Sequence, residues 1–506
     1  MIEPILKYID EPFLTFANGQ KAIDPRDGLM LFGTFDHKKI QGQKTIGIIG
    51  TKPLRQMLIK YLEKIHSPIF NSEKSIARPN FPGIEAVFGI SVNFDNIPQL
   101  DVDETDINKY LKYTDSHQRV HNWVNLYVDK LNAYANTEEI PVDVWLVIIP
   151  QCIFQFGRPN SKIQKDESSV SVGLKTKDRN SNMLLLFPDQ QEERDMLNEA
   201  YQFEVNFHNQ LKAKMLPSRI ITQIIREDKI NYENIFTDEK KIEAERLFDT
   251  AKAWNISTTL YYKLGGLPWK LGAVRENVCY LGLVYKKTET DSKNKNACCA
   301  AQMFLDSGDG MVFRGNVGPY WNAKTSEFHL PKQDAIQLIS QSLEAFFDRF
   351  KFYPTEIFIH AKTYFDDNEW EGFEEATAGK SKIIGIRIRE NNNFKIYRQH
   401  QYCVPRGTML QYDDKKAYLW TKGFIPRFQT QIGLETPNPL EIAVTRGDAS
   451  IDTVCKDILG LTKLNYNACI YGDGVPVTLK FAESVGEILT AGKNIKAGVL
   501  PFKHYI

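Results

Sequence analysis

The sequence has no apolar run long enough to cross a bilayer, no CxxC pair, no excess of either charge and no glycine-rich phosphate loop after an early strand. Each absence excludes a class. A membrane-spanning helix needs about 20 consecutive apolar residues, and the opening MIEPILKYIDEPF carries acids where a signal peptide is basic. The expectation is a cytoplasmic protein with no membrane partner. The seven cysteines (Cys152, Cys279, Cys298, Cys299, Cys403, Cys455 and Cys469) lack zinc or redox spacing, and most lie in apolar surroundings that suit reduced thiols packed as small core residues. Sixty-three basic side chains balance 63 acidic ones, which counts against indiscriminate coating of nucleic acid. A basic channel inside a neutral protein is still allowed, because a cleft focuses its field locally. Without GxGxxG or GxxxxGK[ST], dinucleotide and P-loop sites lose their support.

What is present is a globular composition, 42% hydrophobic and 25% charged, over 506 residues, a length that predicts two or three domains. The first half alternates strand and helix: a strand at 45–50, an amphipathic helix at 53–65, a strand at 86–92, helix over most of 104–135 and a buried strand at 142–150. On the long helix Val120, Val124, Tyr127 and Leu131 share one face. The alternation predicts a parallel, doubly wound sheet, whose ligands sit at the carboxyl ends of its strands, beside Gln151 and Cys152. A polar, Ser-rich stretch at 161–182 reads as a surface loop, with a strand resuming at 183–188.

The second half predicts a different sheet. Strands at 278–286, 297–305 and 311–317 are close enough for an antiparallel meander. The helix at 332–351, with its Ile336, Ile339, Leu343, Phe346, Phe347 and Phe350 stripe, is followed by a strand at Glu356–His360 and another at 382–389. At the junction of the halves, residues 250–285 carry Lys252 on a helix, then Gly265, Gly266 and Pro268, which break the helical period.

One chemical constellation emerges. His208 and Lys212 are four apart and share a helix face. Gln223 follows on a strand and Lys252 on a later helix. An imidazole, an amide and two cations suit a terminal phosphate; the His/Lys pair alone equally suits a solvated helix face.

Several of these stretches resemble Argonaute proteins. The order His208, Lys212, Gln223, Lys252 resembles the MID pocket that holds the 5′ phosphate of a guide strand. Asp24-Pro25-Arg26-Asp27-Gly28-Leu29 with Leu31-Phe32-Gly33 resembles the lead-in to MID, with Thr34 in place of the usual proline; on its own it reads as a turn between short strands. The GGLPW turn with the Leu281-Gly282-Leu283-Val284 strand resembles the entry to PIWI, and 461–467 and 476–482 resemble its C-terminal signatures. The resemblance implies an α/β chain with a Rossmann-like MID domain followed by an RNase H-like PIWI domain: a lead-in at 1–40, MID at 41–255 and PIWI at 256–506. It further implies Mg²⁺ at the guide phosphate, held by the terminal carboxylate of Ile506.

PIWI nucleases hold two metals with clustered carboxylates. Here Val284 and Lys362 stand at two of those positions, and Glu483 is left as a single acid; a hydrocarbon cannot ligate and an ammonium repels. The expectation is guide-directed binding without cutting, so not an enzyme. The likeness is to a short prokaryotic Argonaute of MID and PIWI only. That class implies a guide RNA, a target single-stranded DNA from plasmid or phage, and antiviral defence. It also implies a heterodimer with a TIR-APAZ effector whose NADase is activated on target recognition, with a higher oligomer forming on the target. A Sir2-APAZ or nuclease effector, or an active guide-directed nuclease with differently placed carboxylates, are the alternatives.

Overall fold

The computed structural model describes residues 3–36, 44–71, 75–92, 94–138, 140–166, 169–170, 195, 198–272, 275, 277–287, 297–305, 310–318, 320–322, 327–431, 436–493, 495 and 500–506. The strand expected at 183–188 lies outside them. Two sheets organise the chain. In the first, β2 (Ile46–Gly50), β3 (Gln99–Asp101), β4 (Val144–Ile149) and β5 (Thr222–Arg226) run in the order β3-β2-β4-β5, every pair parallel. β2 and β4 are buried throughout, which is why their sequences are continuous apolar runs. Helices α1 (Lys52–His66) and α2 (Ser116–Thr137) cover the sheet, and Val120, Val124, Tyr127 and Leu131 are all buried.

The second sheet has ten strands among the described residues. It takes β1 (Ile5–Tyr8) from the start of the chain and combines it with β6 (Val278–Lys287), β7 (Ala297–Leu305), β8 (Gly310–Gly318), β9 (Glu356–Ala361), β10 (Lys382–Glu390), β11 (Thr408–Gln411), β12 (Lys416–Leu419), β13 (Leu440–Arg446) and β14 (Leu500–Pro501). The order is β1-β11-β12-β13-β10-β9-β6-β7-β8-β14. β6, β7 and β8 form the expected antiparallel meander, and β9 lies parallel to both β6 and β10. β1 pairs with β11 from Ile5 opposite Gln411 to Tyr8 opposite Thr408. Just beyond it, the Glu11 carboxylate accepts from Arg406 Nε at 3.0 Å and from Lys463 Nζ at 2.7 Å. Burial alone would raise the Glu11 pKa, but the two cations outweigh it and hold the carboxyl below its usual value.

Two expectations fail for a shared reason. Residues 86–92 are not a strand: a helix runs Ile84–Phe88, burying Ile84, Val87 and Phe88 at helical spacing between Gly83 at φ +113° and Gly89 at φ +65°. Likewise Pro25–Phe32 is a helix rather than a turn between strands, with the Asp24 carboxylate capping it through Arg26 N–H. Five- to eight-residue helices are too short for their period to stand out, and local capping decides them.

Helix α8 (Val477–Leu489) lies across β6, so closely that a Cβ on Gly282 would meet the Thr478 carbonyl oxygen at 2.0 Å. The glycine between Leu281 and Leu283 is therefore required by helix-on-sheet packing. Gly282→Ala should destabilise the chain by about 1–3 kcal/mol in urea unfolding through overpacking; an unchanged midpoint would refute that contact.

Candidate anion-binding site

Helix α4 (Phe207–Met215) begins at Asn206, whose side-chain oxygen accepts from Asn209 N–H at 3.2 Å. Phe207, Leu211 and Met215 recur on its core face against Trp123 and Tyr127, which turns the adjoining stripe of His208 and Lys212 toward β5. Helix α5 (Asp249–Lys263) ends with Lys263 two residues before the Gly265 break. These elements bring two ammonium groups to the same two acceptors. Lys212 Nζ donates to the main-chain oxygens of Thr222 and Ile506, both at 2.5 Å. Lys263 Nζ donates to the same oxygens at 2.7 and 2.5 Å. Among the described residues no Asp or Glu side chain pairs with either lysine.

A cavity of about 580 Å³ opens beside them, its wall including His208, Lys212, Gln223, Asn467, Glu487 and Ile506. Arg158 and Arg226 also line it, their guanidiniums 3.5 and 3.3 Å from the centre of the Phe154 ring. The electrostatics are those of cations held out of water. Burial pushes Lys212 down to about 7. Burial and the neighbouring Lys212 hold Lys263 well below the usual lysine value. Burial, with Lys212 adding to it, pushes His208 down to about 4, so its imidazole is neutral, with Nδ1 3.0 Å from Asn209 Oδ1. The buried Oε1 of Gln223 has no hydrogen-bond partner. A group bringing negative charge and acceptor oxygens would complement the two ammonium groups, and a hydroxyl or N–H donor on the same ligand would meet the open Gln223 Oε1.

Of the residues expected at this site, the structure gathers His208, Lys212, Gln223 and Ile506. Three fall outside the cavity wall. Lys252 lies three turns before Lys263 on α5, roughly 16 Å along the axis. Its ammonium contacts Glu245 Oε2 at 3.1 Å and Asp249 Oδ1 at 3.3 Å, over the Tyr232 ring. Lys263, itself outside the cavity wall, is the second buried lysine beside it and shares both of Lys212's acceptors. The only signal in the sequence was negative: Asp249, three residues before Lys252, offers it a partner, while Lys263 in TTLYYKLGGL has no nearby acid. Gln151 and Cys152 open α3 (Gln151–Phe156), whose Ile153 and Phe154 line the cavity in their stead. Gln151 N–H donates to Glu227 at 2.9 Å. Cys152 packs beside the apolar cluster of α2, and burial pushes its thiol up to about 11.

No protein-family model matches the sequence, and no curated protein does. Solved structures match over nearly the whole chain. Clostridium butyricum Argonaute bound to a guide DNA and a 19-mer target DNA superposes with a TM-score of 0.65 at 16% identity, covering 99% of this chain and 55% of that one. Aquifex aeolicus Argonaute does so with a TM-score of 0.56 at 12% identity, covering 99% and 57%. The chain has the Argonaute fold. It spans about half the length of the Argonautes it matches, and its two sheets correspond to a MID-like unit and an RNase H-like PIWI unit.

Val284, Lys362 and Glu483, the three positions at which the sequence reading expected the nuclease acids, lie near one another. Leu283 pairs with Ala361 at the end of the parallel β6–β9 register, so Val284 and Lys362, the latter just past the end of β9, follow directly on that pair. Val284 is buried against the α8 side of the sheet. Lys362 is ion-paired with Glu483 of α8, both half-exposed. His360, one strand position earlier on that face, is buried, pushed down to about 3 by burial, with Nδ1 2.9 Å from Thr478 Oγ1.

The buried lysines make stability depend on pH. Unfolded Lys212 titrates near 10.5 and folded Lys212 near 7, so between those values the unfolded chain holds the extra proton. Stability should therefore fall as pH is lowered through that window, at no more than about 1.4 kcal/mol per pH unit for this group. Urea titrations of the nucleic-acid-free protein should give a shallower slope for Lys212→Met, and saturating inorganic phosphate should flatten the wild-type slope. Parallel slopes for both proteins would contradict the assignment.

Proposed function

We propose that this chain is the guide-binding, target-sensing subunit of a prokaryotic defence system. It takes the 5′ phosphate of a guide RNA into the α4–α5 cavity, pairs the guide with complementary single-stranded DNA and does not cut it. The observation that carries the reading is the pair of buried ammonium groups, Lys212 and Lys263, which share main-chain oxygens and have no carboxylate side-chain partner. A phosphate monoester supplies the missing charge, the Asn467 amide of the cavity wall can donate to its oxygens, and Arg158 beside Phe154 adds positive charge to the wall. Backbone recognition of this kind leaves sequence choice to base pairing.

Mg²⁺ fits the donor set. Ile506 contributes an oxygen and Glu487 a carboxylate to the wall of an otherwise cationic cavity, and hard oxygen donors of this type suit that ion. Ile506 and Glu487 would hold it there, and it would supply positive charge between the phosphate and these oxygens. The absence of cutting is supported by the chemistry of the PIWI positions: a two-metal site needs several free carboxylates, whereas Val284 offers none and Glu483 is engaged by Lys362. The effector reading, a TIR-APAZ partner whose NADase responds to guide and target, rests on the resemblance to short prokaryotic Argonautes.

The decisive measurement compares guides ending in 5′ phosphate and 5′ hydroxyl. Charge-assisted hydrogen bonds are worth about 1.5–3 kcal/mol each, so Lys212→Ala with Lys263→Ala should weaken the phosphorylated guide by on the order of 10²-fold or more. Hydroxyl-ended guides should change little, and Lys252→Ala should leave both unchanged. Equal losses for both guides would overturn the pocket.

In a separate assay, labelled target DNA should survive incubation with the guided protein in Mg²⁺ or Mn²⁺. Guide-positioned cutting abolished by chelation would establish an active nuclease instead. Co-purified with a TIR-APAZ partner, the chain should support NAD⁺ loss only when guide and target are both present.

A further inference from the structure

A second polar cluster lies on the opposite face of the PIWI sheet, away from α8. His329 follows a two-stranded hairpin (Trp321–Asn322 with Glu327–Phe328), and Asp366 and Glu369 stand at the start of α7 (Asp367–Thr377). One ligand atom from each of the three lies within 4.8 Å of the others. His329 is 8% exposed and Glu369 1%, so the site is built into the protein rather than scattered over its surface.

The geometry is awkward for hydrogen bonding. His329 Nδ1 is buried without a hydrogen-bond partner. It points at Glu369 Oε2 from 3.6 Å, too far for a hydrogen bond. Two ligands of one tetrahedral ion at about 2.0–2.2 Å are separated by about 3.4 Å, so the same gap suits atoms that share a metal. Glu369 is already fixed in place, because its Oε1 accepts from Tyr285 OH and from Leu330 N–H at 3.2 Å. Asp366 is held by its cap on Glu369 N–H at 2.7 Å, made through Oδ1. On the far side of the imidazole, Nε2 faces Glu327 at 3.8 Å. An outer carboxylate behind a histidine is the arrangement that orients metal-ligating imidazoles and raises their basicity.

We propose that His329, Asp366 and Glu369 form a binding site for a first-row divalent transition ion of the Zn²⁺ or Mn²⁺ class, with Glu327 as the outer carboxylate. One imidazole nitrogen with two carboxylates is a borderline donor set, which selects such ions over Ca²⁺. The ion ties the hairpin to α7 and, through Tyr285, to the end of β6, one residue past Val284. It is independent of the guide phosphate and of the degenerate nuclease positions. The competing occupant is a proton, which would make His329 an imidazolium between Glu327 and Glu369.

The test uses the whole chain, stripped of metal and free of nucleic acid. Wild type, His329→Gln and Asp366→Asn are titrated with Zn²⁺ and, separately, with Mn²⁺ by calorimetry; Asn at 366 still caps α7. Wild type should bind one ion more per chain than His329→Gln, and Asp366→Asn should bind that ion at least about tenfold more weakly. Crystals of wild type grown with Zn²⁺ should give an anomalous peak about 2.0–2.1 Å from a ring nitrogen of His329, a readout that does not need either variant to fold. Identical binding by wild type and His329→Gln, or a crystal without that peak, would overturn the proposal and leave the proton as occupant.

Discussion

Two ammonium groups sharing two main-chain oxygens in a place closed to water is the arrangement on which the rest of this molecule turns. Moving a cation out of water costs several kcal/mol unless an opposite charge accompanies it; the Thr222 carbonyl brings none, and a carboxylate at Ile506 would balance one of the two ammonium groups. Four distant parts of the chain meet to build it: α4, β5, the end of α5 and residue 506. The MID-like and PIWI-like units are therefore coupled at the site itself, and β5 serves both as a strand of the first sheet and as an acceptor for both lysines.

The reach of the sequence follows from what a side-chain pattern can encode. β2, α1, α2, β4, β6 and the long helix Lys332–Phe350 were legible because each is long enough to display its period. The Ile84–Phe88 helix was not, since five residues with Gly on either side carry too little period to separate helix from strand. At the site, His208 and Lys212 stood out through their spacing. Lys263 did not, because a lysine embedded among tyrosines and leucines looks like the edge of a core segment, and nothing in the local pattern shows that its amine reaches the main chain of residues 41 and 243 positions away. Lys252 looked equivalent until its acidic neighbours were seen to claim it. Main-chain acceptors leave no trace in residue identity at all.

The PIWI side poses a related contrast. Lys362 and Glu483 form a half-exposed ion pair, an interaction that contributes about 1 kcal/mol or less. Its weight is chemical rather than energetic, for it occupies the acid that would otherwise stand free beside Val284. The support beneath those positions, Gly282 pressed against Thr478 and His360 facing the same residue, is tightly packed.

The strand at the start of the chain has a consequence for biogenesis. Ile5–Tyr8 finds its neighbour at Thr408–Gln411, and Glu11 finds Arg406 and Lys463. At ribosomal speeds of about 5–20 residues per second, the first segment emerges roughly 20–80 s before its docking partner. Throughout that interval the Ile5–Tyr8 edge has no strand to pair with, which makes it a segment for a nascent-chain chaperone to cover.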